Sequence, residues 1–299
     1  MIADVRARAA YLAYRAGAEL ARVVPLRMGG AVADGLARVM QVASPARRAQ
    51  VVRTLGRVSA GQLRGRALDR AVDEVFANYA RYWHELFRMP DLTAAEIRAA
   101  VPLEGVDVLD GALALGKGVL LALPHLGNWD LAGASAAAHG YPMSAVAEVV
   151  EPPELFEWFV RTRRSVGMEV IALGPDSTGA IRRALGRGRV VCLLADRDLS
   201  GTGIDVEFFG ERTTVPGGPA LLALRTGAPL VVGAAYYTAD GGHVGRFFRV
   251  IPAERVGRMR DDVTRVTQDL VAEIEAAIRL APEQWLLMQP NWPSDGPAR

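Results

Sequence analysis

The 299-residue chain has one cysteine, Cys192, and one lysine, Lys117. A single thiol excludes an internal disulfide framework and any zinc or iron–sulfur site built from several cysteines, and it fits a reducing, cytoplasmic setting. Histidine is scarce too. His84, His125, His139 and His243 lack ligand-like spacing among themselves, so neither a metal nor another cofactor is expected. There is no Gly-x-Ser-x-Gly elbow for a serine nucleophile. The longest uncharged stretch, Leu131–Ala147, contains Gly, His and Pro and falls short of the ~18 apolar residues of a spanning helix. Arg6, Arg8 and Arg15 interrupt any hydrophobic region of a signal peptide.

What is abundant is apolar surface: 51% of residues are hydrophobic and 23% charged, enough for a sizeable core and against global disorder. Net charge is only +2, yet it is polarised. Residues 1–66 hold 12 arginines against 3 acids, a balance of +9, while the other 233 residues carry −7. A basic amino-terminal region of this kind points to an anionic partner surface. On a helical wheel Ile2, Val5, Leu12, Leu20 and Val23 share a sector, and Arg8, Arg15 and Arg22 form a stripe at spacing seven. Arg6 and Arg27 fall on the apolar side. That pattern fits either a helix docked on the core or an interfacial helix touching anionic lipid.

Residues 1–100 read as helical, rich in Ala, Leu and Arg without β-branched alternation. From about residue 101 the character changes. Val119–Leu123, Ser144–Glu148, Val170–Leu173, Val190–Ala195, Val206–Phe209, Pro229–Tyr237 and Phe247–Ile251 read as strands. Helical patterns at Asn128–His139, Pro153–Val166, Ser177–Gly186, Gly217–Thr226 and Asp261–Leu280 alternate with them. The expectation is one domain over 1–299: a helical region at 1–100 and an α/β core at 101–299 with a central mixed sheet flanked by helices.

Gly111-Ala-Leu-Ala-Leu-Gly116-Lys117-Gly118 resembles a phosphate-binding P-loop only superficially. It lacks the terminal Ser/Thr, and it precedes a strand where a P-loop follows one, so it reads as a helix end. Cys192 lies inside an apolar strand run, as an inert core thiol does. His139 closes a helix and His243 sits in a Gly-Gly-His-Val-Gly hairpin turn, both structural positions. His125 differs. As a bare pattern His-x4-Asp/Glu is weak, with about 0.44 chance occurrences expected from four histidines and 33 acids. Its setting is more specific: Pro124 ends a strand, Gly127 permits a tight turn and Asn128 is a good helix N-cap. His125 is thereby placed at the carboxyl edge of the sheet, where α/β proteins build their sites. Asp130, in the first helical turn, is expected to accept a hydrogen bond from one ring nitrogen, leaving the other as a general base for a hydroxyl.

Pro124-His125-Leu-Gly-Asn-Trp-Asp130 resembles the glycerolipid acyltransferase superfamily, in the branch that contains the lipid A late acyltransferases and the actinobacterial phosphatidylinositol mannoside acyltransferases. The resemblance extends to Arg81-Tyr-Trp-His-Glu-Leu-Phe-Arg-Met-Pro90, Val190-Val-Cys-Leu-Leu-Ala-Asp-Arg-Asp-Leu199, Phe208-Phe-Gly-Glu211 and Pro216-Gly-Gly-Pro219. The ending Trp285-Leu-Leu-Met-Gln-Pro-Asn-Trp292 looks like the mannoside branch.

The resemblance implies transfer of a long, palmitoyl-type acyl chain from acyl-CoA to the 6-hydroxyl of mannose in a phosphatidylinositol mannoside. His125 would be the base, without a covalent acyl-enzyme. In the family's Ala-Glu-Arg-Asp-Leu motif this chain carries Asp196 in place of Glu, one methylene shorter, as a second catalytic acid beside Asp130. Arg163, Glu148, Arg197 and Asp198 match substrate-binding positions, Arg163 as a candidate for holding a lipid or CoA phosphate. The implied setting is peripheral, on the cytoplasmic side of the inner membrane, against an anionic surface. Two rivals stand beside it. One is an acyltransferase of the same branch with another lysolipid or glycolipid acceptor. The other is a non-catalytic membrane- or nucleic-acid-binding protein using the basic amino-terminal region. No DNA- or RNA-binding motif accompanies the arginines, so nucleic acid is not an expected partner.

Overall fold

Both faces of the strand Val119–Leu123 are buried, with Leu120 and Ala122 packed on one side and Val119 and Leu121 on the other. Such a strand belongs in the middle of a largely parallel sheet covered by helices on both faces. In the computed structural model it does. The structure describes residues 37–199 and 201–296, together with Tyr14, Ala16, Gly17, Glu19 and Gly35. The amphipathic pattern expected over residues 2–27 lies almost wholly outside the described residues.

In chain order the helices are α1 (Pro45–Val58), α2 (Gly65–Arg88), α3 (Ala94–Ala100), α4 (Val106–Leu113), α5 (Trp129–Ala138), α6 (Pro153–Ser165), α7 (Ser177–Gly186), α8 (Gly218–Thr226) and α9 (Met259–Arg279). The strands are β1 (Leu103–Glu104), β2 (Val119–Leu123), β3 (Met143–Ala147), β4 (Glu169–Ala172), β5 (Val190–Leu194), β6 (Ile204–Phe208), β7 (Glu211–Val215), β8 (Leu230–Tyr237) and β9 (His243–Ile251).

Seven strands form one sheet in the order β1-β9-β8-β2-β5-β3-β4, and β6 and β7 form a separate antiparallel hairpin. β8, β2, β5, β3 and β4 run parallel, whereas β9 returns antiparallel to β8. The sheet is therefore mixed and flanked by helices. One face packs against α7, α8 and α9 through Leu185, Ala223, Val266 and Leu270. The other carries α2, α4 and α5 through Leu86, Leu109, Leu131 and Ala134.

All seven expected strands and all five expected helices are present, with ends moved by at most a few residues; β9 starts four residues earlier than its apolar run. Two strands went unread. β1 is only two residues long, and β7 is the polar run Glu-Arg-Thr-Thr-Val. Gly111–Gly118 is the end of α4 and its turn into β2. Gly118 there has φ +67, and a Cβ would sit 2.7 Å from the Leu185 carbonyl oxygen, so the glycine serves packing.

Candidate active site

β2 and β5 pair in parallel with Leu123 opposite Leu194. Two residues past each of these ends stand His125 and Asp196. The register therefore delivers both side chains to the same point on the carboxyl edge. Between His125 and α5 the chain must reverse, and Gly127 does so at φ +57, pressed so close to β8 that a Cβ would lie 2.4 Å from the Ala235 carbonyl oxygen. Asn128 then caps α5, its Oδ1 accepting from Leu131 N at 2.9 Å. Its Nδ2 donates at 2.7 Å to Glu85 on α2.

His125 Nδ1 lies 2.7 Å from Asp196 Oδ1. The other carboxylate oxygen accepts from His125 N at 2.8 Å and from Trp285 Nε1 at 2.7 Å. Asp196 has no solvent exposure. Burial by itself raises its pKa, but the facing His125 ring and the hydrogen bonds from His125 and Trp285 outweigh it, and the carboxyl is held below the ordinary value. An ionised Asp196 accepts from Nδ1, so that in the neutral imidazole the lone pair is on Nε2. The imidazole meets the Trp129 ring edge-on at 5.2 Å.

The expected partnership of His125 with Asp130 is not formed. Beyond the Gly127 turn, Asp130 points toward α2 and α6, where Arg163 donates Nε at 2.7 Å and Nη2 at 3.0 Å. Tyr82 adds its hydroxyl at 2.8 Å. Burial and the adjacent Asp130 charge keep the Tyr82 phenol well above its usual pKa, so it remains a donor. Burial works against the Arg163 charge, Asp130 more than offsets it, and the guanidinium pKa is raised. Arg163 was expected to hold a phosphate through paired hydrogen bonds; in the structure its Nε–Nη2 edge is taken by Asp130.

A cavity of about 400 Å³ opens in front of the imidazole, and His125, Asp130, Glu148, Arg163 and Arg197 all line it. Most of its wall is apolar and aromatic, with Tyr82, Trp83, Trp129 and Phe159 on one side and Val146 and Leu194 on another. Cys192 reaches the cavity floor, its thiol pKa pushed up to about 12 by burial and by the Asp130 charge. Asp198 is not brought to this cavity. Its carboxylate accepts from Gly201 N at 3.1 Å, Gly203 N at 2.8 Å and the Thr214 hydroxyl at 3.0 Å, holding the loop between β5 and β6. Among the described residues no three His, Cys, Asp or Glu side chains come together as metal ligands, and no helix is long and apolar enough to cross a membrane.

Three contributors escaped the reading of the sequence. Tyr82, Glu85 and Trp285 lie 43, 40 and 160 residues from His125, and no local pattern ties them to it. The only available signal was their place inside the two motifs Arg81–Pro90 and Trp285–Trp292. His243 does stand at the start of β9, at the tip of the β8–β9 hairpin. Its Nε2 lies 3.0 Å from both Glu85 oxygens, adding a link from that hairpin to the same network.

The family model described as bacterial lipid A biosynthesis acyltransferase matches residues 4–294. The chain belongs to that family. A phosphatidylinositol mannoside acyltransferase of Mycolicibacterium smegmatis is 37% identical over 291 residues, covering 95% of this chain and 91% of the relative. A phosphatidylinositol mannoside acyltransferase of Mycobacterium tuberculosis is 38% identical over 223 residues, 73% of this chain and 69% of the relative. In this acyltransferase His125, Asp130 and Arg163 line one cavity, and the fully buried Asp196 backs His125.

Proposed function

We propose that this acyltransferase moves a palmitoyl-type chain from acyl-CoA to the 6-hydroxyl of mannose in a phosphatidylinositol mannoside, with His125 as general base. The observation that carries this reading is an imidazole that lines a largely apolar cavity with its Nδ1 tied to a buried carboxylate. Nε2 takes the proton of the mannose hydroxyl as its oxygen attacks the thioester carbonyl. The C–O bond forms, the tetrahedral centre collapses, the C–S bond breaks, and the departing CoA thiolate recovers the proton from the imidazolium. Asp196 stabilises that imidazolium throughout. The aromatic and aliphatic wall suits an acyl chain, while Glu148 and Arg197 offer polar contacts to the sugar or to the donor. The names of the two mycobacterial relatives support the acceptor.

On this reading the acceptor has its chains in a bilayer and the enzyme works peripherally on the cytoplasmic face of the membrane, a setting supported by the basic amino-terminal region, which would attract anionic lipid. Val149, Leu173 and Leu199, all exposed, follow β3, β4 and β5 at the same sheet edge as His125 and suit contact with lipid. The test is mass spectrometry of the product from purified protein, palmitoyl-CoA and a phosphatidylinositol dimannoside. One added palmitoyl group on a mannose 6-hydroxyl is expected. Preferred acylation of lysophosphatidic acid would move the protein to another acceptor, and no acceptor-dependent thiol release would remove the enzymatic reading.

A further inference from the structure

Trp285–Trp292 stood out in the sequence, yet the reaction above gives it no task. In the structure this segment follows α9 and runs along the candidate site: Leu286, Leu287 and Gln289 line the cavity, whereas Trp285 and Asn291 do not. Gln284 O accepts from Gly127 N at 3.0 Å, and Leu286 N donates to His125 O at 2.8 Å. Between these bonds Leu126 and Trp285 form an antiparallel bridge. The same segment reaches Asp196 twice with side chains. Trp285 Nε1 donates to its Oδ2 at 2.7 Å, and Asn291 Nδ2 donates to its backbone carbonyl at 3.0 Å.

The segment is itself held firmly. Trp285 is only 2% exposed, with the rings of Phe208, Phe209 and Trp292 at centroid distances of 5.8, 5.7 and 6.1 Å. At its far end the carboxylate of Asp295 accepts from Asn291 N at 2.9 Å, Trp292 N at 3.2 Å and Gln50 Nε2 at 2.8 Å. Arg57 of α1 adds an ion pair at 3.2 Å to Asp295, and its guanidinium lies 4.0 Å from the Trp292 ring centre.

We propose that the segment is a splint for the His125–Asp196 pair, in which Trp285 and Asn291 are positioning residues that fix the rotation and the backbone of Asp196. The proposal rests on the reading of His125 as the base. A carboxylate pinned through one oxygen alone can rotate about its side-chain torsion. Here Oδ2 is pinned by two N–H donors, so Oδ1 stays on Nδ1 and the ring stays turned to the cavity. An indole N–H donates and cannot accept, so it also selects the ionised carboxylate over the protonated acid. Asn291 fixes the other end of the same residue. Trp285 and Asn291 therefore act through Asp196 and touch no reacting atom.

The test compares Trp285→Phe and Asn291→Asp, which keep most of the shape but lose the donor, with His125→Ala and Asp196→Ala. A lost hydrogen bond to a charged group predicts a fall in kcat of about ten- to a hundredfold for Trp285→Phe. Asn291→Asp faces the Asp196 carbonyl with a carboxylate in place of a donor, and a fall of at least about fivefold is expected. KM for palmitoyl-CoA should stay within about twofold in both, because substrate contacts are untouched. In the Asp196→Ala background Trp285→Phe should cost nothing further in single-turnover rate, although its packing loss still lowers the melting temperature. A folded Trp285→Phe or Asn291→Asp protein with wild-type kcat overturns the splint, as does a full additional rate loss in the Asp196→Ala background. If Trp285→Phe does not fold, Asn291→Asp decides alone. His125→Ala separates the two readings: retained turnover there sinks the base, whereas an inactive His125→Ala beside fully active splint variants sinks only the splint.

Discussion

His125 and Asp196 meet at 2.7 Å because each lies two residues beyond a paired strand end, Leu123 on β2 and Leu194 on β5. Asp196 therefore reaches the imidazole without the extra methylene of a Glu. His125→Ala should lower turnover by at least about 10²- to 10⁴-fold, the usual contribution of a positioned general base. In Asp196→Asn the amide nitrogen must face either the imidazole or the N–H donors of His125 and Trp285, so a comparable loss is expected. Steady-state turnover of palmitoyl-CoA checks both. More than about a tenth of wild-type rate in His125→Ala is incompatible with the assigned role.

Asp130 is better described with Arg163 than with His125. The Arg163 side chain is 12% exposed and that of Asp130 3%, so removal of one partner leaves an uncompensated charge out of water. Asp130→Ala and Arg163→Met should each destabilise the fold by about 3–5 kcal/mol, and the double variant by clearly less than the sum of the two. Urea unfolding of the four proteins measures the coupling. Strict additivity would mean that the two side chains do not stabilise each other.

Much of this site was legible from short-range chemistry. Pro124, Gly127 and Asn128 announce the end of a strand, a turn and a helix cap within five residues, and each does in the structure what its side chain dictates. The strands read best where both faces are buried, as in β2 and β8, since an unbroken apolar run is hard to mistake. β7 was missed because hairpin strands outside the main sheet carry polar side chains, and β1 because two residues hold no periodicity. The misassigned partner of His125 has a different origin. Spacing along one chain favoured Asp130, but parallel pairing brings Asp196 from 71 residues away, and register is a property of the sheet. The same holds for Trp285 and Tyr82, which arrive from segments that sequence distance cannot rank.

Cys192 offers a probe of the cavity that needs no substrate. With its pKa pushed up to about 12, roughly one thiol in ten thousand is ionised at pH 8. An ordinary cysteine has a thiolate fraction about a thousandfold greater. Alkylation by iodoacetamide at pH 8 should be at least about a hundredfold slower in the native protein than in urea. Equal rates would place the thiol in open solvent.

Stability should fall with acid in a defined direction. Asp196 and Glu85 both have pKa values held below the ordinary carboxylate range in the folded protein, despite burial that works to raise them. His125 and Trp285 are responsible for Asp196, and His243, Arg81 and Asn128 for Glu85. The unfolded chain therefore binds protons first, and stability rises with pH across the interval between the folded and unfolded values. The stabilisation is complete above about pH 5, beyond the unfolded values near 4, and is lost as pH falls through the folded values below them. Melting temperatures between pH 6 and pH 3 should drop less steeply in Glu85→Gln and Asp196→Asn than in the wild type. Parallel curves for all three proteins would assign the acid sensitivity elsewhere.

Membrane binding is best tested without deleting the amino-terminal region. Tyr14 lines the cavity and packs edge-on against Trp83 at 5.0 Å and Phe159 at 6.3 Å, so removal of residues 2–27 would open the cavity wall as well as the charge. Reversal of the Arg8, Arg15 and Arg22 stripe to Glu changes the charge and keeps Tyr14. Each interfacial arginine is worth about 1 kcal/mol against an anionic surface, so loss of three should weaken binding to phosphatidylserine-containing vesicles by about a hundredfold or more. Repulsion by the new carboxylates acts in the same direction. Binding by the wild type should itself weaken as salt rises, because the Debye length shrinks to about 3 Å at 1 M. Turnover on a short-chain soluble acceptor should be retained in the triple variant, since Tyr14 and the other described residues of the cavity wall are all kept. Vesicle co-sedimentation at low and high salt decides the matter: a folded triple variant that sediments like the wild type would assign the basic stripe to solvent and leave lipid contact to the apolar sheet edge.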